Sequence, residues 1–175
     1  MKLVRQYLQF VARTPVLIVA MVVTVALAAT FPALPLGGEM LDVRQGYDHG
    51  EVMAAMEQYG EAGRRVYVWA SATLDMLFPI AAFSLLAGLI TRLRPNERLG
   101  TLAFVPIAGA VFDFGENIQI MAMLGGYPDI STTQVTAAST FTQLKWLAIN
   151  ASFLLVIGFG LTALLRRMLR ARRER

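Results

Sequence analysis

The sequence predicts an all-α integral membrane four-helix bundle, with both termini in the cytoplasm and a short amphipathic helix in the first extracytoplasmic loop. Three observations carry this. Four apolar runs are each long enough to cross a bilayer, Lys and Arg concentrate in alternate connections, and the ionisable residues inside the apolar runs fall at one depth. Of 175 residues, 56% are hydrophobic and only 16% charged, against roughly 45–50% and 25% in soluble domains. The length fits a single membrane domain, residues 1–175.

A bilayer core about 30 Å thick needs roughly 20 apolar residues in a helix. The first span is expected at about Thr14 to Leu36, free of charge between Arg13 and Glu39, and the second at about Val66 to Ile90, carrying Asp75. The third is expected at about Leu99 to Gly125, with Asp113 and Glu116, and the fourth at about Ser139 to Leu165, with Lys145. A competing reading makes the N-terminus a cleaved signal peptide ending near Ala26-Leu27-Ala28. The apolar run is longer than the roughly 7–15 residues of such a signal.

Lys2, Arg5 and Arg13 precede the first span, Arg92, Arg94 and Arg98 follow the second, and six arginines from Arg166 to Arg175 follow the fourth. The loop from Tyr127 to Val135 has no basic residue, and the first loop dilutes Arg44, Arg64 and Arg65 with six acids. The positive-inside rule then puts both ends in the cytoplasm, and the expected location is a bacterial inner membrane, multi-pass. The tail 166–175 directly follows a span. It reads as an anchor on anionic lipid headgroups, worth on the order of 1 kcal/mol per basic residue, rather than a nucleic-acid site.

In the first loop, Val52, Met56 and Tyr59 recur at helical spacing within Asp48 to Arg64. They predict an amphipathic helix on the outer surface or capping the bundle. His49 reads as a solvated loop residue. It is the single histidine and cysteine is absent, which excludes histidine clusters, thiolate metal sites, disulfides and cysteine nucleophiles.

Ionisable groups inside spans cost about 2.5–3.5 kcal/mol near the bilayer centre and usually face the bundle interior. At about 1.5 Å per residue, Asp75 and Glu116 lie roughly 14–15 Å below the outer boundary, Lys145 roughly 9 Å, and Asp113 and Asn150 roughly 17–18 Å. Asp113, Glu116 and Asn117 share a helix face, as do Tyr67, Ser71, Asp75 and Phe78, and Thr142, Lys145 and Trp146. The predicted site is therefore one buried layer of Asp75, Asp113, Glu116, Asn117, Lys145 and Asn150, with Tyr67 and Trp146 beside it. Pro79 denies the Asp75 carbonyl its helical donor, and Pro106 does the same to Leu102. Ala108, Gly109 and Ala110 permit close helix approach. Three acids surround one lysine, so something must compensate: protonation of an acid, Arg64 or Arg65 reaching down, or a bound cation.

The segments YGEAGRRVY (59–67), LDMLFP (74–79), DFGEN (113–117) and FTQLKW (141–146) resemble a family of small, uncharacterised four-span bacterial membrane proteins. The resemblance covers roughly the last two thirds of the chain. It implies the four-span architecture and no activity, substrate or cofactor. The bundle with interior acids is also loosely similar to the sterol-isomerase and sigma-2-receptor group, by fold-level analogy and without a shared motif.

Three functions compete. The layer could bind or transport a small cationic or amphiphilic ligand, or protons. It could fix helix packing in a structural or scaffold subunit. It could serve an intramembrane lipid-modifying enzyme with Asp113 and Glu116 as an acid/base pair, although no nucleophile motif and no histidine lies within the spans. No cofactor is expected. A Mg²⁺ or Ca²⁺ ion on Asp75, Asp113 and Glu116 would compete with Lys145 for the same oxygens. The topology has a direct test. A phosphatase fused after Arg175 should be inactive and a fluorescent reporter there should fold. An active phosphatase would invert the orientation.

Overall fold

The computed structural model describes residues 2–173, so Glu174 and Arg175 of the basic tail lie outside the described residues. The chain is an all-α bundle. Among the described residues, four helical stretches are long and apolar enough to cross a membrane: Thr14–Ala33, His49–Leu93, Glu97–Gly126 and Thr132–Arg172.

Helix α1 (Lys2–Val11) is amphipathic and buries Leu8 and Val11, chiefly against α4 (Leu74–Leu93). This helix precedes the first predicted span, where only a basic flank is expected. Its apolar positions, Val4, Leu8 and Val11, recur at helical spacing. Helix α2 (Thr14–Thr30) begins with Pro15 in its first turn, where a missing N–H costs nothing. It is apolar on all sides and mostly exposed, as a helix facing lipid should be. The helix stops short of the expected Leu36. A 3₁₀ turn covers Phe31–Ala33, and Leu34 is extended (ψ 131°) because it precedes Pro35.

Residues 34–47 fold back onto the bundle. Leu36, Met40, Leu41 and Tyr47 are buried there, with a 3₁₀ turn at Leu41–Val43. Helix α3 (His49–Ala72) starts at a capping box: Asp48 accepts from the Glu51 amide and Glu51 accepts from the Asp48 amide. Val52, Met56 and Tyr59, expected on one face, are buried and cap the bundle core. Gly60 takes a positive φ of 58°, a conformation open to glycine, and turns the chain into the membrane. His49 is not a free loop residue. Its Nε2 lies 2.9 Å from the Ile130 carbonyl oxygen, tying α3 to the turn before the last helix.

The second span is not one helix from Val66 to Ile90. It breaks at Thr73 (φ −123°, ψ −78°) between α3 and α4 (Leu74–Leu93). The Thr73 hydroxyl bonds back to the Trp69 carbonyl (2.7 Å), an interaction that competes with the regular ladder. The third span starts later than Leu99: Glu97–Ala103 is 3₁₀ and α5 runs Phe104–Gly126. Pro106 therefore lies in the first turn of α5 and interrupts nothing, contrary to the expectation of a freed Leu102 carbonyl. The fourth span sits within a single helix, α6 (Thr132–Arg173), of 42 residues, about 63 Å long.

Helix α4 is central, packing on α1, α2, α5 and α6, while α5 and α6 form the tightest pair. Glycine permits the close approaches. A Cβ at Gly109 would meet Phe83 of α4 and Ala148 of α6, and one at Gly88 would collide with the Val11 carbonyl and Leu17. Two apolar cores result. One, at the loop end, gathers Leu36, Leu41, Val52, Met56, Tyr67 and Ile120. The other, at the basic end, gathers Leu8, Val11, Ala87, Ile90 and Ala103.

This packing predicts opposite effects at two glycines. Gly88→Val should destabilise the protein by about 1–3 kcal/mol through overpacking. Gly158, with nothing within 4 Å, should tolerate alanine with a gain of about 0.5–1 kcal/mol. Thermal unfolding in detergent reads both. A Gly88→Val protein as stable as wild type would contradict the α1–α4 packing.

Candidate functional site

The buried polar groups come from four segments: the first loop, the α3–α4 junction, α5 and α6. On α6, Thr142, Lys145, Ala148 and Ser152 are buried at spacings of three and four residues, one helix face turned inward. On α5, Asp113, Glu116 and Asn117 form the matching face. Across the Thr73 break, Tyr67, Ser71, Asp75 and Pro79 keep a common buried face.

Lys145 is the hub. Its ammonium pairs with Glu116, lies 4.0 Å from Asp113 Oδ1, and donates to the Asp42 backbone carbonyl at 2.9 Å. Glu116 is fully buried, and its other oxygen accepts from the Thr142 hydroxyl at 2.5 Å. These contacts confirm an intramembrane charge cluster of Lys145 with Asp113 and Glu116.

Sequence reasoning missed the group that closes this cluster. Asp42 comes from the first loop, yet it is only 8% exposed. Its carboxylate accepts from the Tyr67 phenol (3.0 Å), and that phenol oxygen accepts from the amides of Leu41 (2.9 Å) and Asp42 (3.4 Å). Tyr67 thus holds the loop and does not contact the carboxylates of α5. The Trp146 indole likewise donates to the Arg44 carbonyl (2.7 Å), and the Ser139 hydroxyl accepts from the Tyr47 amide (3.0 Å). Tyr47 lies 3.3 Å from the Thr142 hydroxyl, and burial pushes its phenol well above the ordinary value. The available signal was the apolar content of the loop: Leu36, Met40, Leu41 and Tyr47 do not belong on a solvated strand.

Two expectations fail. Asn150 is exposed on α6. It shares the depth of Asp113, but it lies five residues from Lys145, about 140° around the helix, and faces away from the bundle. Arg64 and Arg65 do not reach the layer. Arg64 donates to the Met56 carbonyl (2.7 Å) and stacks over Tyr127, and Arg65 pairs with exposed Glu61.

The Pro79 argument holds. The Asp75 carbonyl, deprived of its helical donor, accepts from the Asn117 side-chain amide at 2.8 Å. Around this contact, however, three buried oxygens lack a hydrogen-bond partner: Asp75 Oδ2, Ser71 Oγ and Asn117 Oδ1. Asp75 is 3% exposed and occupies the first turn of α4, where the helix dipole presents positive partial charge to a carboxylate. The cluster therefore has two halves, one held by the charge of Lys145, whose ion pair reaches Glu116 Oε2 without a regular hydrogen bond, and one around Asp75 where no cation stands beside the unpartnered oxygens. Among the described residues, no group of three or more His, Cys, Asp or Glu side chains is arranged to hold a metal ion.

No protein-family model matches the chain, and no curated protein and no solved structure matches it. The resemblance of the four segments to a family is therefore unsupported, and the multi-span architecture rests on the four long apolar helices. The chain is a multi-span integral membrane protein with a buried intramembrane charge cluster.

The Lys145 half predicts a strong coupling. Lys145→Met keeps most of the stem and strands Glu116 and Asp113, so it should cost about 3–5 kcal/mol. Glu116→Gln in the same chain should recover part of that loss. A cycle of wild type, both single variants and the double variant gives the coupling from thermal stability in detergent. A coupling near zero would remove Glu116 as the partner.

Proposed function

We propose that the protein binds a proton or a small monovalent cation inside the membrane at Asp75, with the Lys145 cluster as the lock that shapes the site. The observation that carries this reading is the set of three buried, unpartnered oxygens within one helical turn of the Asp75–Asn117 contact. A buried polar atom without a partner costs about 1–3 kcal/mol, so three in one place make a site waiting for a donor or a cation. Irregular backbone at membrane depth is a frequent companion of ion sites, and Asp75 follows the Thr73 break directly. The charged groups facing Asp75 are Asp42 from the loop, Asp113 and Glu116 from α5 and Lys145 from α6. Four acids against one lysine leave negative charge that a bound cation or proton would offset.

The orientation belongs to the same reading: basic end in the cytoplasm, loop end outside, in a bacterial inner membrane. The loop then lies over the outer side of the site. A structural or scaffold role is the second reading, supported by the way Lys145 joins the loop, α5 and α6. The acid/base enzyme reading loses support, because Glu116 is engaged at both oxygens, by Thr142 and by Lys145.

The test is infrared titration of the purified protein together with thermal stability across a sodium series. A protonated-carboxyl band that titrates in wild type and vanishes in Asp75→Asn is expected for proton binding. For sodium, stability should rise by about 1.4 kcal/mol per tenfold increase beyond the Kd, and not in Asp75→Asn. If neither signal depends on Asp75, the site is structural.

A further inference from the structure

The basic end carries a second feature that the Asp75 site does not explain. A cleft of about 480 Å³ opens between the end of α4 and α6, and five of its lining residues are Arg92, Arg94, Arg166, Arg167 and Arg170. No carboxylate lines it. We propose that this cleft binds the phosphate of an anionic phospholipid headgroup.

The arginines are arranged by the helices rather than scattered. Thr162, Arg166 and Arg170 repeat every four residues on α6 and so share one face. The Arg166 guanidinium donates to the Pro95 carbonyl (3.0 Å), fixing α6 against the turn that follows α4. Arg92 donates to the Thr14 hydroxyl (2.8 Å), and Arg94 is held by both oxygens of Glu97 (2.7 Å). Arg167 and Arg170 have no hydrogen bond or ion pair to protein among the described residues. Three anchored guanidiniums, one of them already paired with Glu97, and two without a protein partner among the described residues suit a phosphate, since a guanidinium can offer a two-pronged donor set to its oxygens. The volume falls within the roughly 300–1,000 Å³ of small-ligand sites.

The position selects a lipid over a soluble anion. The Arg166–Pro95 bond puts the cleft level with the end of α4, where the apolar span stops. Immediately along α6, Leu161, Leu164 and Leu165 are more than half exposed and give acyl chains an apolar surface to lie on. Basic pockets between membrane helices at this level are a known lipid-headgroup geometry. This is a defined interhelical site, distinct from diffuse attraction between a basic tail and a charged membrane.

The experiment uses the full chain in detergent and native mass spectrometry, titrated separately with phosphatidylglycerol, cardiolipin and inorganic phosphate. One saturable lipid is expected, with cardiolipin preferred because the four guanidiniums not paired with Glu97 exceed the charge of a single phosphate. Arg167→Gln/Arg170→Gln should weaken lipid binding about tenfold or more. Both residues are exposed, so the fold should be unaffected, and thermal stability checks this. Arg13→Gln/Arg98→Gln removes the same charge outside the cleft and should leave binding nearly unchanged. Equal losses from both pairs would mean diffuse attraction and overturn the proposal. Inorganic phosphate that binds as tightly as lipid would assign the cleft to a soluble anion and overturn it equally.

Discussion

The contact on which the structure turns is the Lys145 ammonium held between the Asp42 carbonyl, Glu116 and Asp113. A lysine buried within a span is tolerated when its ammonium finds acceptors and opposite charge. Here the acceptors come from the first loop and from α5, while the lysine comes from α6. One charge thereby joins three segments far apart in sequence. Hydrophobic burial cannot do this in lipid, because the surrounding chains are as apolar as the helix sides. Polar pairing and close packing through Gly109 supply what water would otherwise supply as a driving force.

Much of this was legible in the sequence, for identifiable reasons. Asp113, Glu116, Thr142 and Lys145 were readable because helix periodicity fixes both depth and face, and both coordinates agreed. Asn150 misled because only its depth agreed. The Pro79 argument succeeded because a missing amide is a local, covalent fact, and the freed Asp75 carbonyl had to be satisfied by something. Asp42 was not readable. Its position depends on a loop folding back by way of Tyr67, Trp146 and Ser139, and no period in the sequence announces such a path. The breaks at Gly60 and Thr73 belong to the same class. Each is a single-residue change of direction inside an otherwise apolar, helix-compatible run, and hydropathy averages over it. Helix α1 is different again: its pattern was present, but the Lys and Arg count drew attention to charge and away from spacing.

The two halves of the polar layer obey opposite logics. Around Lys145, one buried ammonium is paired by charge with the carboxylates of α5, which makes the half costly to disturb. Around Asp75, acceptors outnumber donors. The α3–α4 break adds the positive end of a helix but no side-chain donor. Asn117 spends its amide on the Asp75 backbone, leaving its own oxygen unmatched. A fold selected only for stability would place apolar side chains here, since a half-satisfied network is worse than none. The persistence of unpartnered oxygens beside Asp75, where no cation of the protein stands, is the physical argument for a site there.

The loop makes the two halves interdependent. Asp42 touches Lys145 through its carbonyl and Tyr67 through its carboxylate, and Tyr67 sits two turns ahead of Asp75 on the same face of the broken span. Anything that changes charge at Asp75 acts on Asp42, Asp113, Glu116 and Lys145 together, because in a low-dielectric interior these interactions are weakly screened. The loop is tied into this network twice, by hydrogen bonds at Tyr67, Ser139, Lys145 and Trp146 and by the buried side chains of Leu36, Met40, Leu41 and Tyr47. A change of occupancy at Asp75 would therefore reach the loop through Asp42, whose carbonyl and carboxylate face the two halves of the layer.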